Sequence, residues 1–190
     1  MEAFLVSAGL VAIAEIGDKT MLLAILLAAT WRKPIPILAG IFVATLLNHA
    51  LAAGLGALLG SWLQGPWVKW VLGIAFLGFA AWALIPDKLE EGEGKPDAKA
   101  KTPWGVFVAT AVAFFLVEMG DKTQVATAAL GARFPTEVAF VAMGTTLGMM
   151  IANTPAVLLG EAAATKLPLK YIRWAAALGF AATGVWVLLS

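Results

Sequence analysis

The sequence predicts an all-α integral membrane protein of six transmembrane helices, arranged as two inverted three-helix repeats. Three observations lead there. The 190-residue chain is 61% hydrophobic and 13% charged, with a mean hydropathy of +0.89, well outside the balance of a water-soluble domain. Its apolar stretches form six segments of membrane length separated by short polar breaks. The six residues Glu15-Ile16-Gly17-Asp18-Lys19-Thr20 return 103 positions later as Glu118-Met119-Gly120-Asp121-Lys122-Thr123, with five of the six identities kept.

A helix needs about 20 residues to span a hydrocarbon core. The predicted spans are residues 3–29, 35–63, 68–85, 104–132, 138–164 and 171–189. Turn-forming or charged residues punctuate them: Trp31-Arg32-Lys33-Pro34, Gln64-Gly65-Pro66, Arg133-Phe134-Pro135 and Lys166-Leu167-Pro168. The first span lacks a basic leader and carries the motif, so a cleaved signal peptide is not expected. Residues 87–103 are the one long polar stretch, with acids such as Asp87 and Glu90 interleaved with lysines such as Lys88 and Lys95. They read as a solvated tether between a first repeat, 1–86, and a second, 104–190.

The repeat extends beyond the motif. Ser7 and Thr110 precede the two glutamates by two helical turns. Leu77-Gly78-Phe79-Ala80-Ala81 returns as Leu178-Gly179-Phe180-Ala181-Ala182, and Lys69-Trp70-Val71 as Lys170-Tyr171-Ile172. Three spans per repeat make an odd number, so the second half would enter the membrane with opposite polarity. Nine of the 13 Lys and Arg residues fall in the first, third and fifth connections. That bias predicts a cytoplasmic linker with both termini outside. Trp67, Trp70, Tyr171 and Trp174 stand where an interfacial aromatic belt is expected.

Ionisable groups at mid-membrane are costly, by roughly 2.5–3.5 kcal/mol for an Asp or Lys on insertion scales. Two copies of three such groups need a reason. Helical spacing would put Glu15, Asp18 and Lys19 on one face, and Glu118, Asp121 and Lys122 on another. Gly17 and Gly120 permit either close helix approach or local unwinding that frees carbonyls as ligands. The four carboxylates make an oxygen-rich site for a hard divalent ion such as Mn²⁺ or Ca²⁺. Four acids and two lysines leave a charge of −2, which one such ion balances. Once the ion leaves, crowded carboxylates in a low dielectric bind protons, so cation/proton exchange is the expected mechanism. Lys19 and Lys122 would tune the charge of the empty site.

Other readings of the motif exist. Glu15–Lys19 and Glu118–Lys122 can be intrahelical ion pairs that neutralise one another, although this leaves both aspartates unexplained. Gly-Asp at membrane depth also occurs in intramembrane aspartyl proteases, but the second glycine of their G-x-G-D pattern is replaced by Glu15 and Glu118. A divalent cation channel is a third option. The net charge of +1 provides no basic face for nucleic acid, and the absence of cysteine removes disulfides and thiolate chemistry. No enzymatic activity and no resident cofactor are expected.

The duplicated E-φ-G-D-K-T motif, three helices per copy and a charged central linker resemble the GDT-type family of small cation transporters, over essentially the whole chain. The resemblance implies a Mn²⁺ or Ca²⁺ transporter working as an antiporter with protons as counter-ion, with Glu15, Asp18, Glu118 and Asp121 as the site. It implies a bacterial inner-membrane manganese exporter, embedded in lipid as a monomer or homodimer. Many bacterial relatives have glutamine after each motif threonine; here Gln124 fits and Met21 does not.

Further intramembrane polar residues are candidates. Asn48 and Asn153 sit at comparable depth in the two repeats, as amide ligands or as interhelical glue. Thr20, Thr123 and Gln124 either complete the ion's shell or bond back to helix carbonyls. His49, the sole histidine, reads as a proton relay or, more simply, as a residue bonded to a neighbouring helix. Pro155 should kink its span beside Asn153. Met149 and Met150 offer either a soft contact favouring Mn²⁺ or plain core filling. Glu161 is expected at an interface. Gly54, Gly56, Gly60, Gly144 and Gly148 read as packing surfaces.

Overall fold

The computed structural model describes residues 1–62, 65, 67–86, 100, 102–159 and 168–190. Most of the 87–103 linker, Glu161 and Lys166 lie outside the described residues. Among those described there are eight helices and no strand: α1 (Glu2–Glu15), α2 (Lys19–Trp31), α3 (Pro34–Trp62), α4 (Val68–Ala83), α5 (Pro103–Glu118), α6 (Lys122–Arg133), α7 (Val138–Leu159) and α8 (Leu169–Leu189).

The first and fourth predicted spans are each two helices, broken inside the motif. The two breaks are built alike. Ile16 (φ −68°, ψ 113°) is followed by Gly17 at φ 86°, and Met119 (φ −67°, ψ 117°) by Gly120 at φ 81°. The Asp18 N–H donates to the Glu15 carbonyl at 3.1 Å, and the Asp121 N–H to the Glu118 carbonyl at 3.1 Å. These are the features of a type II turn, whose third residue needs positive φ and therefore glycine. The shared helical face expected for Glu15, Asp18 and Lys19, and for their counterparts, is therefore corrected. Each glutamate ends one helix, and each aspartate is the N-cap of the next. Of the two roles open to the glycines, local unwinding is the one seen.

Other boundaries follow from local chemistry. Arg32, in the left-handed region (φ 52°, ψ 36°), closes α2 by donating its N–H to the Ala28 carbonyl, and Pro34 opens α3. The Thr102 hydroxyl accepts from the Gly105 N–H at 3.0 Å, with Pro103 starting α5. α7 continues through Pro155.

α3, α7 and α8 are long and apolar enough to cross a membrane, and α5 with α6, bent by 73°, would make a fourth crossing if counted as one span. α4, at 16 residues, is shorter, as are α1 and α2 taken singly. α3 has the inside-out pattern that suits a lipid-facing helix: it exposes Phe42, Leu47, Leu51, Leu55 and Leu58 while burying Thr45, Asn48 and His49. Trp67, Trp70, Tyr171 and Trp174 are exposed as well.

Packing crosses between the two halves of the chain. α1 lies along α7, and α5 along α3; α6 also packs on α3, and α3 on α7. α4 pairs with α8, where Phe79 meets Phe76 and Phe180 edge-on at 5.9 and 6.0 Å. Gly56 and Gly60 touch the α6 backbone, and Gly144 and Gly148 the α1 backbone, whereas Gly54 faces open space. The buried apolar side chains form two clusters. One joins Leu10, Phe76, Leu130 and Phe180; the other joins Met21, Leu27, Ile37 and Phe114.

Candidate cation site

The two breaks bring their acids together in the interior. Glu15 and Glu118 are fully buried and Asp121 is 7% exposed, and one carboxylate oxygen from each lies within 4.8 Å of the others. Each glutamate is the last residue of its helix and points into the protein interior. Three anionic groups at this spacing repel one another strongly in a low dielectric and require a cation or protons among them.

The two glutamates have different surroundings. Glu15 accepts from both motif threonines: from Thr20 Oγ1 at 2.6 Å, and from Thr123 Oγ1, which reaches it across the repeat. Neither Glu118 oxygen has a hydrogen-bond partner among the described residues. His49 stands beside it, with Nε2 3.8 Å from Oε1 and both side chains fully buried.

The lysines are exchanged between the motifs. Lys19 Nζ lies 3.4 Å from Asp121 Oδ1, and Lys122 Nζ lies 3.8 Å from Asp18 Oδ1. No ion pair inside one motif is found among the described residues, so the intrahelical pairing considered from sequence gives way to pairing across the halves. Asp18, 4% exposed, also accepts from the Lys19 N–H at 2.9 Å and stands apart from the close trio of acids.

The residue after each motif threonine has the same task in both halves. Met21 Sδ accepts from the Gly17 N–H at 3.4 Å, and Gln124 Oε1 accepts from the Gly120 N–H at 2.6 Å. Each accepts from the glycine amide of its turn, one through sulfur and the other through an amide oxygen. Gln124 Nε2 donates to Asn48 Oδ1 at 3.4 Å, and Asn48 Nδ2 donates to the Phe115 carbonyl at 3.0 Å. Asn153 is placed differently. Its Nδ2 bonds the Met149 carbonyl and sulfur, each at 3.0 Å, while its buried Oδ1 has no partner among the described residues. Met149 Sδ is also 4.0 Å from Thr20 Oγ1, which sets it against the Glu15 side of the site.

A crevice reaches the breaks between α4 and α8, lined by Ile16, Asp18, Phe79, Lys122, Arg173 and Phe180. At the far ends of α6 and α8 the chain is tied together. Arg133 lies 4.7 Å over the Trp186 ring and donates to Ser190 Oγ at 3.1 Å, and the Met1 amine pairs with Glu137 at 3.4 Å.

Sequence reasoning gave His49 no place among the ligands; it stands beside Glu118 only because α3 packs on α5, a tertiary contact that spacing along the chain does not reveal.

A family model described as Divalent cation/proton antiporter GDT1 matches residues 3–91 and 106–190. A protein of Vibrio cholerae serotype O1 named "Putative manganese exporter" is 51% identical over 173 residues, 91% of this chain and 84% of that one. GDT1-like protein 4 of Oryza sativa subsp. indica is 30% identical over 87% of this chain and 66% of its own length. GDT1-like protein 5 of Arabidopsis thaliana is 25% identical over 100% of this chain and 96% of its own. No solved structure matches. The broken helices, the cluster of buried acids and these likenesses agree: the chain is a multi-pass membrane protein of the GDT1 family of divalent cation transporters.

Proposed function

We propose that this protein exports Mn²⁺ across a bacterial inner membrane in exchange for protons, by alternating access to one site shared between two inverted halves. The observation that carries the reading is the meeting of Glu15, Glu118 and Asp121 from both motifs within 4.8 Å, where both helices break. Mn²⁺ is favoured by the name of the Vibrio cholerae relative. Inverted repeats with broken helices at midplane are a known route to alternating access. In this reading each motif supplies half of the site, and six spans leave both termini outside and the linker in the cytoplasm. The crevice beside Asp18 opens where α4 ends and α8 begins, the cytoplasmic side in this orientation. On the opposite side in this orientation, Arg133 bonds Ser190 and the Met1 amine pairs with Glu137.

Binding and exchange then follow from charge. The deprotonated acids take Mn²⁺ as oxygen ligands, with Thr20 and Thr123 holding the Glu15 carboxylate in place. Releasing the ion leaves a crowded anionic cluster that is stable only when protonated, so protons occupy the site on the return step. No other cofactor is needed.

Ion flux into proteoliposomes tests this. Mn²⁺ uptake driven by a proton gradient, and lost in Glu15→Gln, is the expected result. Faster Ca²⁺ flux would keep the mechanism and change the cargo. Uptake indifferent to a proton gradient would remove proton exchange, and flux insensitive to an opposing ion gradient would point to a channel.

A further inference from the structure

We propose that His49 is a direct ligand of the transported ion, a nitrogen donor that makes the site prefer Mn²⁺ over Ca²⁺. The inference rests on the divalent cation site described above and adds to it a residue outside both motifs.

His49 is fully buried on α3, and neither ring nitrogen has a hydrogen-bond partner among the described residues. Leaving a buried polar atom unpaired costs about 1–3 kcal/mol, so such an atom calls for an occupant. Its Nε2 faces Glu118, whose two carboxylate oxygens are also without partners. The gap of 3.8 Å is too long for a hydrogen bond. It suits two donors on one ion. With metal–ligand bonds of about 2.1 Å in an octahedron, adjacent donors stand about 3.0 Å apart and opposite donors about 4.2 Å. The observed separation is inside the reach of about 4.2 Å for two donors on one ion. His49 lies outside the trio of acids within 4.8 Å of one another, so the ion that it and Glu118 share sits on the α3 side of that cluster.

The surroundings hold the ring in this position. Asn48, the preceding residue, donates to the Phe115 carbonyl, three residues before Glu118, and so fixes the register of α3 against α5. Glu15 already accepts from two threonines, which leaves the Glu118 side as the part of the site with open coordination. Thr154 follows Asn153 where His49 follows Asn48, so the nitrogen donor belongs to one repeat only.

The chemical consequence is selectivity. Ca²⁺ is held by oxygen ligands, whereas imidazole suits transition metals. Carboxylates alone would discriminate weakly between Mn²⁺ and Ca²⁺; one imidazole shifts the balance toward Mn²⁺.

Pulsed electron paramagnetic resonance of the Mn²⁺-loaded full chain, in detergent and without a histidine tag, tests this directly. The sequence contains one histidine, so a directly bound imidazole nitrogen seen as a ¹⁴N coupling can come only from His49. The expected result is that coupling in the native protein. Its loss in His49→Gln should accompany a fall in Mn²⁺ affinity of at least about tenfold, with a much smaller change for Ca²⁺. Bound Mn²⁺ with no nitrogen coupling would overturn the inference and leave the carboxylate site standing. An unchanged Mn²⁺-to-Ca²⁺ ratio in a folded His49→Gln protein would overturn it as well. Failure of the native protein to bind Mn²⁺ at all would remove the proposed function, and this inference with it.

Discussion

Lys19 and Asp121 form one of two reciprocal ion pairs, 3.4 Å apart, that exchange charge between the halves of the chain; Lys122 and Asp18, at 3.8 Å, form the other. The arrangement explains why lysine and aspartate are duplicated together. Each aspartate lies at the start of a helix, where the positive end of the helix dipole favours it, and the ammonium of the opposite half completes its neutralisation.

Lys19→Met leaves Asp121 buried without its ammonium, which should destabilise the protein by about 3 kcal/mol. A double variant that also carries Asp121→Leu should recover much of that loss and still fail to transport. Thermal unfolding in detergent, read as a double-mutant cycle, checks the coupling; additive effects of the two changes would show that the pair contributes nothing.

Thr123→Val removes the donor that crosses from α6 to Glu15. Hydrogen bonds to charged groups contribute about 1.5–3 kcal/mol, so stability should fall by about 2 kcal/mol and the KM for Mn²⁺ should rise. Thr123→Ser, which keeps the hydroxyl, should restore both. Equal behaviour of the valine and serine variants would show that the hydroxyl is idle.

Glycine substitutions should divide sharply. A Cβ at Gly56 would run into the Ala128 carbonyl, and one at Gly131 into the Ala53 carbonyl, because α3 and α6 touch backbone to backbone. Gly56→Ala should therefore cost about 1–3 kcal/mol. A Cβ at Gly120 would meet no atom within 4 Å, yet φ is +81°, so Gly120→Ala should cost about 1–2 kcal/mol through the turn alone. Gly54→Ala meets nothing and should be neutral or stabilising by up to about 1 kcal/mol. Thermal unfolding of the three variants gives the ranking.

Acidity on the loading side should weaken Mn²⁺ uptake in a particular way. In the proposed exchange, protons and Mn²⁺ compete for the same carboxylates, so the KM should rise as pH falls while the rate at saturating Mn²⁺ changes less. Initial rates over a range of Mn²⁺ concentrations at several pH values check the sign. A KM independent of pH would separate proton binding from the ion site.

The sequence announced the acidic site more clearly than its shape. Duplication and the cost of charge in a membrane marked Glu15, Asp18, Glu118 and Asp121; three of them meet, while Asp18 stands apart beside Lys122. The helix breaks were hidden because apolar residues continue through the motif on both sides, so hydropathy reads one uninterrupted span. The signal was in the motif itself: glycine as third residue of a turn, then aspartate as N-cap. The exchanged lysines were not legible, since nothing in a spacing of 102 residues between Lys19 and Asp121 announces a contact. Asn48 and Asn153 looked equivalent by position, yet one is bonded to α5 and α6 while the other bonds within its own helix.

The packing of α1 along α7 also bears on how the protein is made. α1 leaves the ribosome before its main partner, which is synthesised about 140 residues later. At about 5–20 residues per second, α1 waits on the order of ten seconds in the membrane with Glu15 uncovered. During that interval the nascent first half carries buried charge that only the second half can shelter, and it is then a natural client for insertion factors and quality-control proteases.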